Sequence, residues 1–491
     1  MPNQYLALDV GSTTISAIII DLDSSSIVGS SSTANTAALN PAAKPARSEW
    51  DLNAMSELAI KNAAALIERT RAKPSAIGVT GQQQGLQLLN DELDSVGPYI
   101  SWQDQRSKEK IPSEQRTYLD EMGELGGAIS TGGASPAFAN TGCPLGAGYT
   151  APLLFWLKKN NQLPKGVYGT TTPEFVVARL TNNLPVTDPT DAMGWGVYNV
   201  TTLDWDFELI DTLGLSRTLF PPLVSSCTVA GYLGDQMAQK LGVSSGIPIA
   251  VASGDHQCSF AGTVIDYCGS VAVNVGTGGQ SSVYVENPMP HGSLELRPHI
   301  DSGYLLAGVG IVGGRTFRTL RDFFSTVVSE LTGTQPDPDS IYEQLVDLAQ
   351  NIPAGSDGVK VDPLFTGSPK NPLARGAFLE LTPKNCTPGH LARALFEAMA
   401  NRLANSYREA LSLGAEKRTR LVGSGNGIKL NPVLRESLMA EFGMPIELRR
   451  QGEEAALGAA LCAAVADGAF ESMPKASASF LRGLSLQDAL T

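Results

Sequence analysis

A strand, a glycine–hydroxyl turn and a second strand occur twice in this chain, about half its length apart. Tyr5-Leu-Ala-Leu-Asp-Val10 runs into Gly11-Ser-Thr-Thr14 and then Ile15-Ser-Ala-Ile-Ile-Ile20. Ser270-Val-Ala-Val-Asn-Val275 meets Gly276-Thr-Gly-Gly-Gln280, and Ser281–Val285 follows. Two β-rich runs joined by Gly, Ser and Thr read as a hairpin. Asn274-Val-Gly-Thr echoes Asp9-Val-Gly-Ser at a period far too long for a solenoid. The pattern therefore predicts two similar α/β halves facing one another, with the boundary near 245–253 (halves 1–247 and 248–491). The length of 491 residues agrees, because one core rarely serves more than ~200 residues.

Between the repeats the period changes. Leu52, Met55, Ala59, Ala63 and Leu66 fall on one face of a helix, and Pro74 follows its end. A strand at Ala76–Val79 leads into Gly81-Gln-Gln-Gln-Gly85. Strands alternating with helices at this spacing indicate α/β architecture. Residues 120–250 are rich in Gly, Pro and Thr, with a helix expected through Leu153–Asn160. Trp156, Phe175, Trp195, Trp205 and Phe220 need burial, so this region reads as loops and short helices on a domain rather than as a linker. A strand at Pro248–Ala252 and another at Tyr304–Ala307 are expected. Beyond 387, Thr387 can cap a helix with Pro388 in its first turn, and Leu391, Leu395, Met399, Leu403, Tyr407 and Leu411 repeat until Gly414. A strand at Arg420–Val422 and an Ala/Gly-rich helix at Glu454–Ala466 complete the pattern.

Composition narrows the function. Lys plus Arg number 36 and Asp plus Glu 49, a net charge of −13. A nucleic-acid binder wants a basic footprint, so that class is disfavoured. No apolar run approaches the ~18 residues of a membrane span. MPNQYLALDVG lacks the basic flank and apolar stretch of a signal peptide. Six cysteines without a CxxC pair and four histidines point to a reducing cytoplasm and no structural zinc.

The chemistry-bearing residues cluster at strand ends. Backbone N–H groups in the turns 11–14 and 276–279 can converge on phosphate oxygens without a lysine. Either turn alone reads as a tight hairpin, but the matched pair favours a polyphosphate between the halves. No GxxxxGK[ST] occurs. Gly308-Val-Gly-Ile-Val-Gly313 matches GxGxxG, yet the second strand ending in an acid is missing, since Gly333–Ser340 is a Pro/Asp loop. Asp255 ends an apolar strand where α/β domains bind ligands. It can either accept a hydroxyl proton as that oxygen attacks a γ-phosphate or cap the next helix. His256 beside it carries less weight. Asp9 ends a strand next to a phosphate-type turn, which calls for Mg²⁺ between acid and phosphate, or else an Asx turn. Gln82, Gln83, Gln84, Trp102, Asp104 and Arg106 together suit a polyhydroxylated ligand.

Taken in order, DVGSTT at 9–14, GQQQG at 81–85, SWQDQR at 101–106, TGCPLGAGYTAP at 141–152, GDHQ at 254–257, NVGTGG at 274–279, GSGNG at 423–427 and EEAALGAA at 453–460 resemble the FGGY carbohydrate kinases. The resemblance spans nearly the whole chain. It implies two actin/hexokinase-like (ribonuclease H-like) α/β domains with an interdomain cleft, the use of ATP and Mg²⁺, and phosphorylation of a terminal sugar hydroxyl. It implies Asp255 as general base and Asp9 near the metal. It puts Gln83, Gln84, Trp102, Asp104, Tyr149 and His256 on the sugar. Phosphate contacts fall to Gly11, Ser12, Thr13, Thr277, Gly278 and Gly314, and adenosine contacts to Gly425 and Asn426. GDHQCSF with LVGSGNGIKLNPVL is most similar to the sedoheptulokinase subfamily, so sedoheptulose is the expected acceptor, with D-xylulose or another pentulose as the alternative. The partner implied is a small-molecule sugar, without nucleic acid or membrane, and a homodimer is compatible with it. Family members often carry Lys or Arg where Ser16 stands here, and Arg315 is a candidate replacement. Ser16 also motivates a rival reading, a sugar-responsive binding protein without turnover. A third reading is an actin-like ATPase, against which the Gln-rich loop and Trp102 argue.

Overall fold

The computed structural model describes residues 3–39, 46–127, 136–365, 374–449 and 452–490. Two six-stranded sheets organise it. In the first, Pro248–Ala250, Ala76–Gly81 and Gln4–Val10 run parallel, and Thr14–Asp21 and Ser26–Ala34 continue antiparallel. In the second, Ile446–Leu448, Arg420–Ser424 and Ser270–Val275 run parallel, and Gly279–Val285 and Tyr304–Ile311 continue antiparallel. The five-strand order is the same in both. Val229–Tyr232 extends the first sheet at its parallel edge, and Glu295–Pro298 extends the second at the opposite edge. The two halves expected from the repeated turns are therefore present. Pro248–Ala250, which the sequence reading assigns to the second half, pairs with the first sheet, and the second sheet opens only at Ser270.

Local sequence explains the helices. Leu52–Thr70 begins at Asp51, whose carboxylate accepts from the Ala54 N–H, and its Leu52, Met55, Ala59, Ala63 and Leu66 face is buried. Pro388–Ser412 is capped by Thr387, as the sequence predicts. Glu454–Ala466 has no polar face, and all of Ala456–Ala464 is buried. Such a helix must be enclosed on every side. Small residues make that possible: a Cβ at Gly78 would lie 2.0 Å from the Ala459 carbonyl oxygen, and one at Gly458 would lie 1.9 Å from that of Cys258. This helix thus joins the first sheet to the short helix Asp255–Ala261.

A third, five-stranded sheet sits on the first half, in the order Ala38–Leu39, Glu49–Trp50, Ser95–Ser101, Gly85–Leu89 and Tyr168–Thr170. Gly85 pairs with Ser101, so the glutamine run before the one and Trp102 after the other lie at the same end of this sheet. Trp156, Phe175, Trp195, Trp205 and Phe220 are buried, as expected of a folded middle segment. The GxGxxG match lies largely within the strand Tyr304–Ile311 rather than in a phosphate turn. All six cysteines are free. Among the described residues no helix is long and apolar enough to cross a membrane.

Candidate active site

The parallel strands of the first sheet end at Val10, one residue past Asp9, and at Gly81, and the chain from Pro248–Ala250 turns over those ends. The Thr80 hydroxyl donates to the Ser253 carbonyl at 2.7 Å, and the Ser253 N–H donates to the Val79 carbonyl. Asp255 follows as the first residue of Asp255–Ala261. Burial pushes its carboxyl above the usual carboxylate range, opposed by the Arg297 guanidinium and the His256 backbone N–H. Asp9 is pushed up to about 7, by burial first and then by the charges of Asp255 and Glu453. The two acids singled out in the sequence therefore share one electrostatic site, and Glu453 is a third member. Glu453 holds a left-handed backbone (φ 60°) before Glu454–Ala466, a strained conformation of the kind that clusters at functional sites.

Both predicted hairpins form. Gly11 N–H closes the first on the Thr14 carbonyl, and Asn35 braces it by donating to the Gly11 carbonyl at 2.9 Å. Thr13 is exposed and Ser12 partly so. The second turn exposes Gly276, Thr277 and Gly278, and a Cβ at Gly278 would meet nothing within 4 Å. Two further glycine segments converge on it. A Cβ at Gly314 would lie 2.7 Å from the Gly276 oxygen, and one at Gly425, where φ is 82°, would lie 2.5 Å from the Val275 oxygen. Gly314 donates its N–H to the Gly276 carbonyl at 2.9 Å, so it supports the turn from below. Asn426 is exposed beside Gly425. These backbone approaches leave an exposed, hydroxyl-bearing turn of the kind that can bind phosphate.

The residues expected on the sugar divide. Gln83 is buried, and its amide donates to the Thr190 carbonyl at 2.9 Å and to Gln257 Oε1 at 2.8 Å. His256 Nε2 lies 2.8 Å from Ser282 Oγ. Gln84 is partly exposed and Trp102 is 42% exposed, so both present surface. Tyr149 is raised far above the usual phenol range by burial, beside Cys143, Glu295 and Arg297. Asp104 differs: it is fully buried, and its two oxygens accept from Arg106 and from the Ser48 N–H at 2.8–2.9 Å. Its carboxylate is engaged within the first half. Gln82 is buried with neither amide atom partnered.

Sequence reasoning missed Arg297, Glu295, Thr190 and Gln257. Arg297 Nη1 lies 3.2 Å from both Gln83 Oε1 and His256 Nδ1, and its Nε is 2.8 Å from Glu295. No motif marks Arg297, which comes from the edge strand Glu295–Pro298.

Among the described residues no group of three or more His, Cys, Asp or Glu side chains is arranged to hold a metal. Magnesium does not need one. It keeps several waters and binds through one or two carboxylates plus substrate phosphates. Asp9, a buried oxygen donor facing the charges of two other acids, fits that role, because a divalent cation would offset the burial and the repulsion that together raise its pKa.

Two duplicated α/β domains, a pair of open glycine–hydroxyl turns and a carboxylate poised at the strand ends define a two-domain phosphotransferase. The sequence matches the FGGY family of carbohydrate kinases, N-terminal domain, over residues 4–262, and the C-terminal domain of the same family over 271–466. The chain belongs to the FGGY family and is a carbohydrate kinase, a phosphotransferase that phosphorylates a sugar with ATP. It is similar to the autoinducer-2 kinase of Escherichia coli K12, with 26% identity over 494 residues covering 97% of this chain and 88% of that protein. In fold it is similar to the gluconate kinase of Lactobacillus acidophilus (TM-score 0.82, 23% identity, 100% and 98% of the two chains). It is equally similar to a ligand-bound xylulose kinase of the same organism (TM-score 0.82, 23% identity, 99% and 97%).

Proposed function

We propose that the chain transfers the γ-phosphoryl group of ATP to the terminal hydroxyl of a ketose, with a pentulose such as D-xylulose as acceptor and Asp255 as general base. The observation that carries the reading is the placement of Asp255, delivered by the Ser253 contacts with Val79 and Thr80 over the ends of the parallel strands that bear Asp9. Asp255 accepts the proton as the sugar oxygen bonds to phosphorus and the bond to the ADP oxygen breaks. Its raised pKa strengthens it as a base. Gly11, Ser12, Thr13, Thr277 and Gly278 hold the phosphates, while Gly425 and Asn426 border the adenosine. Mg²⁺ beside Asp9 supplies charge neutralisation on the phosphates. The domain division falls between the two sheets, and the protein works in the cytoplasm.

Support for a pentulose comes from the fold-level likeness to xylulose kinases. Sedoheptulose is the second reading, favoured by the amide-rich Gln83-Gln84 pair and by the GDHQCSF and LVGSGNGIKLNPVL segments. A panel of D-xylulose, ribulose, sedoheptulose, gluconate and glycerol with MgATP, compared by kcat/KM, tests both. The highest value with a pentulose supports the first reading and with sedoheptulose the second. A preference for gluconate or glycerol overturns the ketose assignment.

A further inference from the structure

Arginine has five N–H donors and no acceptor, so every hydrogen bond it makes has a fixed direction. Arg297 is buried at 7% exposure between the two halves. Its Nε and Nη2 face Glu295 at 2.8 and 2.7 Å, which leaves Nη1 for Gln83 Oε1 and His256 Nδ1, each at 3.2 Å. Two consequences propagate from that end. Gln83 must present its oxygen to Arg297, so its NH₂ points to the Thr190 carbonyl and to Gln257 Oε1. Gln257 in turn directs its own NH₂ to the Pro298 carbonyl at 3.0 Å. His256 must keep Nδ1 unprotonated, so its proton sits on Nε2 and is donated to Ser282 Oγ at 2.8 Å. One guanidinium from the second sheet therefore orients the Gln83 amide and the His256 imidazole, the latter next in sequence to Asp255.

We propose that Arg297 is a positioning residue that sets the hydrogen-bond polarity around Asp255, fixing the Gln83 amide orientation and the His256 tautomer and, through them, the selection of the sugar acceptor. Its partner Glu295 holds the guanidinium plane in place. The part concerning the acceptor rests on the proposed placement of Gln83 and His256 along the sugar; the polarity itself does not.

The test uses the full chain carrying Glu295→Gln with Arg297→Met, a charge-neutral pair that avoids stranding a buried carboxylate. With only four histidines in the sequence, ¹⁵N-histidine NMR can resolve the His256 ring. The native protein is expected to show a single Nε2–H form. The folded double variant is expected to lose that form for an averaged or Nδ1–H signal. Its KM for D-xylulose or sedoheptulose, whichever the native protein uses, is expected to rise about tenfold or more, on the scale of a lost charged hydrogen bond, with MgADP affinity unchanged. Arg297→Lys, which keeps donors only, is expected to restore the Nε2–H form. A folded double variant with the native His256 signal overturns the proposal, and so does an altered signal with an unchanged acceptor KM. A native protein that phosphorylates neither ketose strikes the acceptor reading instead and leaves the NMR arm to decide this one.

Discussion

Gln83 and Gln257, 174 residues apart in the sequence, are joined by a 2.8 Å amide–amide hydrogen bond beneath the turn that delivers Asp255. Gly254 makes this contact possible, because a Cβ there would lie 1.8 Å from Gln83 Nε2 and 2.8 Å from Gln257 Oε1. The Gln83 amide is held by three partners and cannot move aside without breaking them. Gly254→Ala is expected to lower kcat/KM for the sugar by about 10²-fold, the scale of an ångström-sized misplacement of a catalytic group. Steady-state kinetics check this, and MgADP affinity should be retained.

Asp9 gives a pH signature. Its folded pKa of about 7 lies above the ordinary 3.8. Between those values the folded chain holds a proton that the unfolded chain has released. Stability from this group is therefore full near pH 4, falls as pH rises to 7, and is level above that. Asp9→Asn removes the dependence. In buffer free of magnesium and nucleotide, its Tm should match the native value near pH 4 and exceed it by several degrees at pH 8. Thermal melts across pH 4–8 read the difference.

The enclosed helix Glu454–Ala466 makes a stability prediction. At Gly458 an added Cβ would meet backbone, the Cys258 carbonyl at 1.9 Å, which cannot rotate away. Gly458→Ala should cost about 3 kcal/mol, at the upper end for overpacking. Because Cys258 lies on the helix that begins at Asp255, kcat should fall as well. Denaturant unfolding with parallel kinetics measures both.

How far the sequence goes differs by feature. The hairpins at 11–14 and 276–279 were legible because glycine and hydroxyl residues between β-rich runs specify a local turn. Thr387-Pro388 and the Ala/Gly-rich 454–466 segment were legible for equally local reasons. What stayed hidden depends on distant partners. Pro248–Ala250 reads as the start of a new half because a strand does not announce which sheet it joins. That Asp104 is closed on by Ser48, far away in the chain, as well as by its neighbour Arg106 is likewise visible only in the fold. Arg297 carries no motif, Glu453 opens EEAALGAA without any sign of which acids it faces, and only the fold brings them to Asp255 and Asp9.

Ser16 faces Asp9 across the first hairpin, and its hydroxyl bonds Ser32 Oγ at 3.1 Å, so no cation stands at that position. Arg315 is exposed, and its backbone N–H donates to the Thr277 carbonyl at 3.0 Å, which ties it to the second phosphate turn. Arg315→Ala is expected to lower kcat by roughly 10–10²-fold with little change in sugar KM, since a donor to developing phosphoryl charge acts mainly in the transition state. An unchanged kcat would remove Arg315 from the transfer step.

The central claim is that Asp255 takes the proton from the sugar hydroxyl. Asp255→Asn keeps the shape and the His256 N–H contact while removing the base. In an ADP-coupled assay with saturating MgATP and the preferred ketose, the account predicts sugar-dependent ADP release reduced by about 10²–10⁴-fold, with MgADP binding by calorimetry unchanged. Turnover near the native rate in that variant would contradict it.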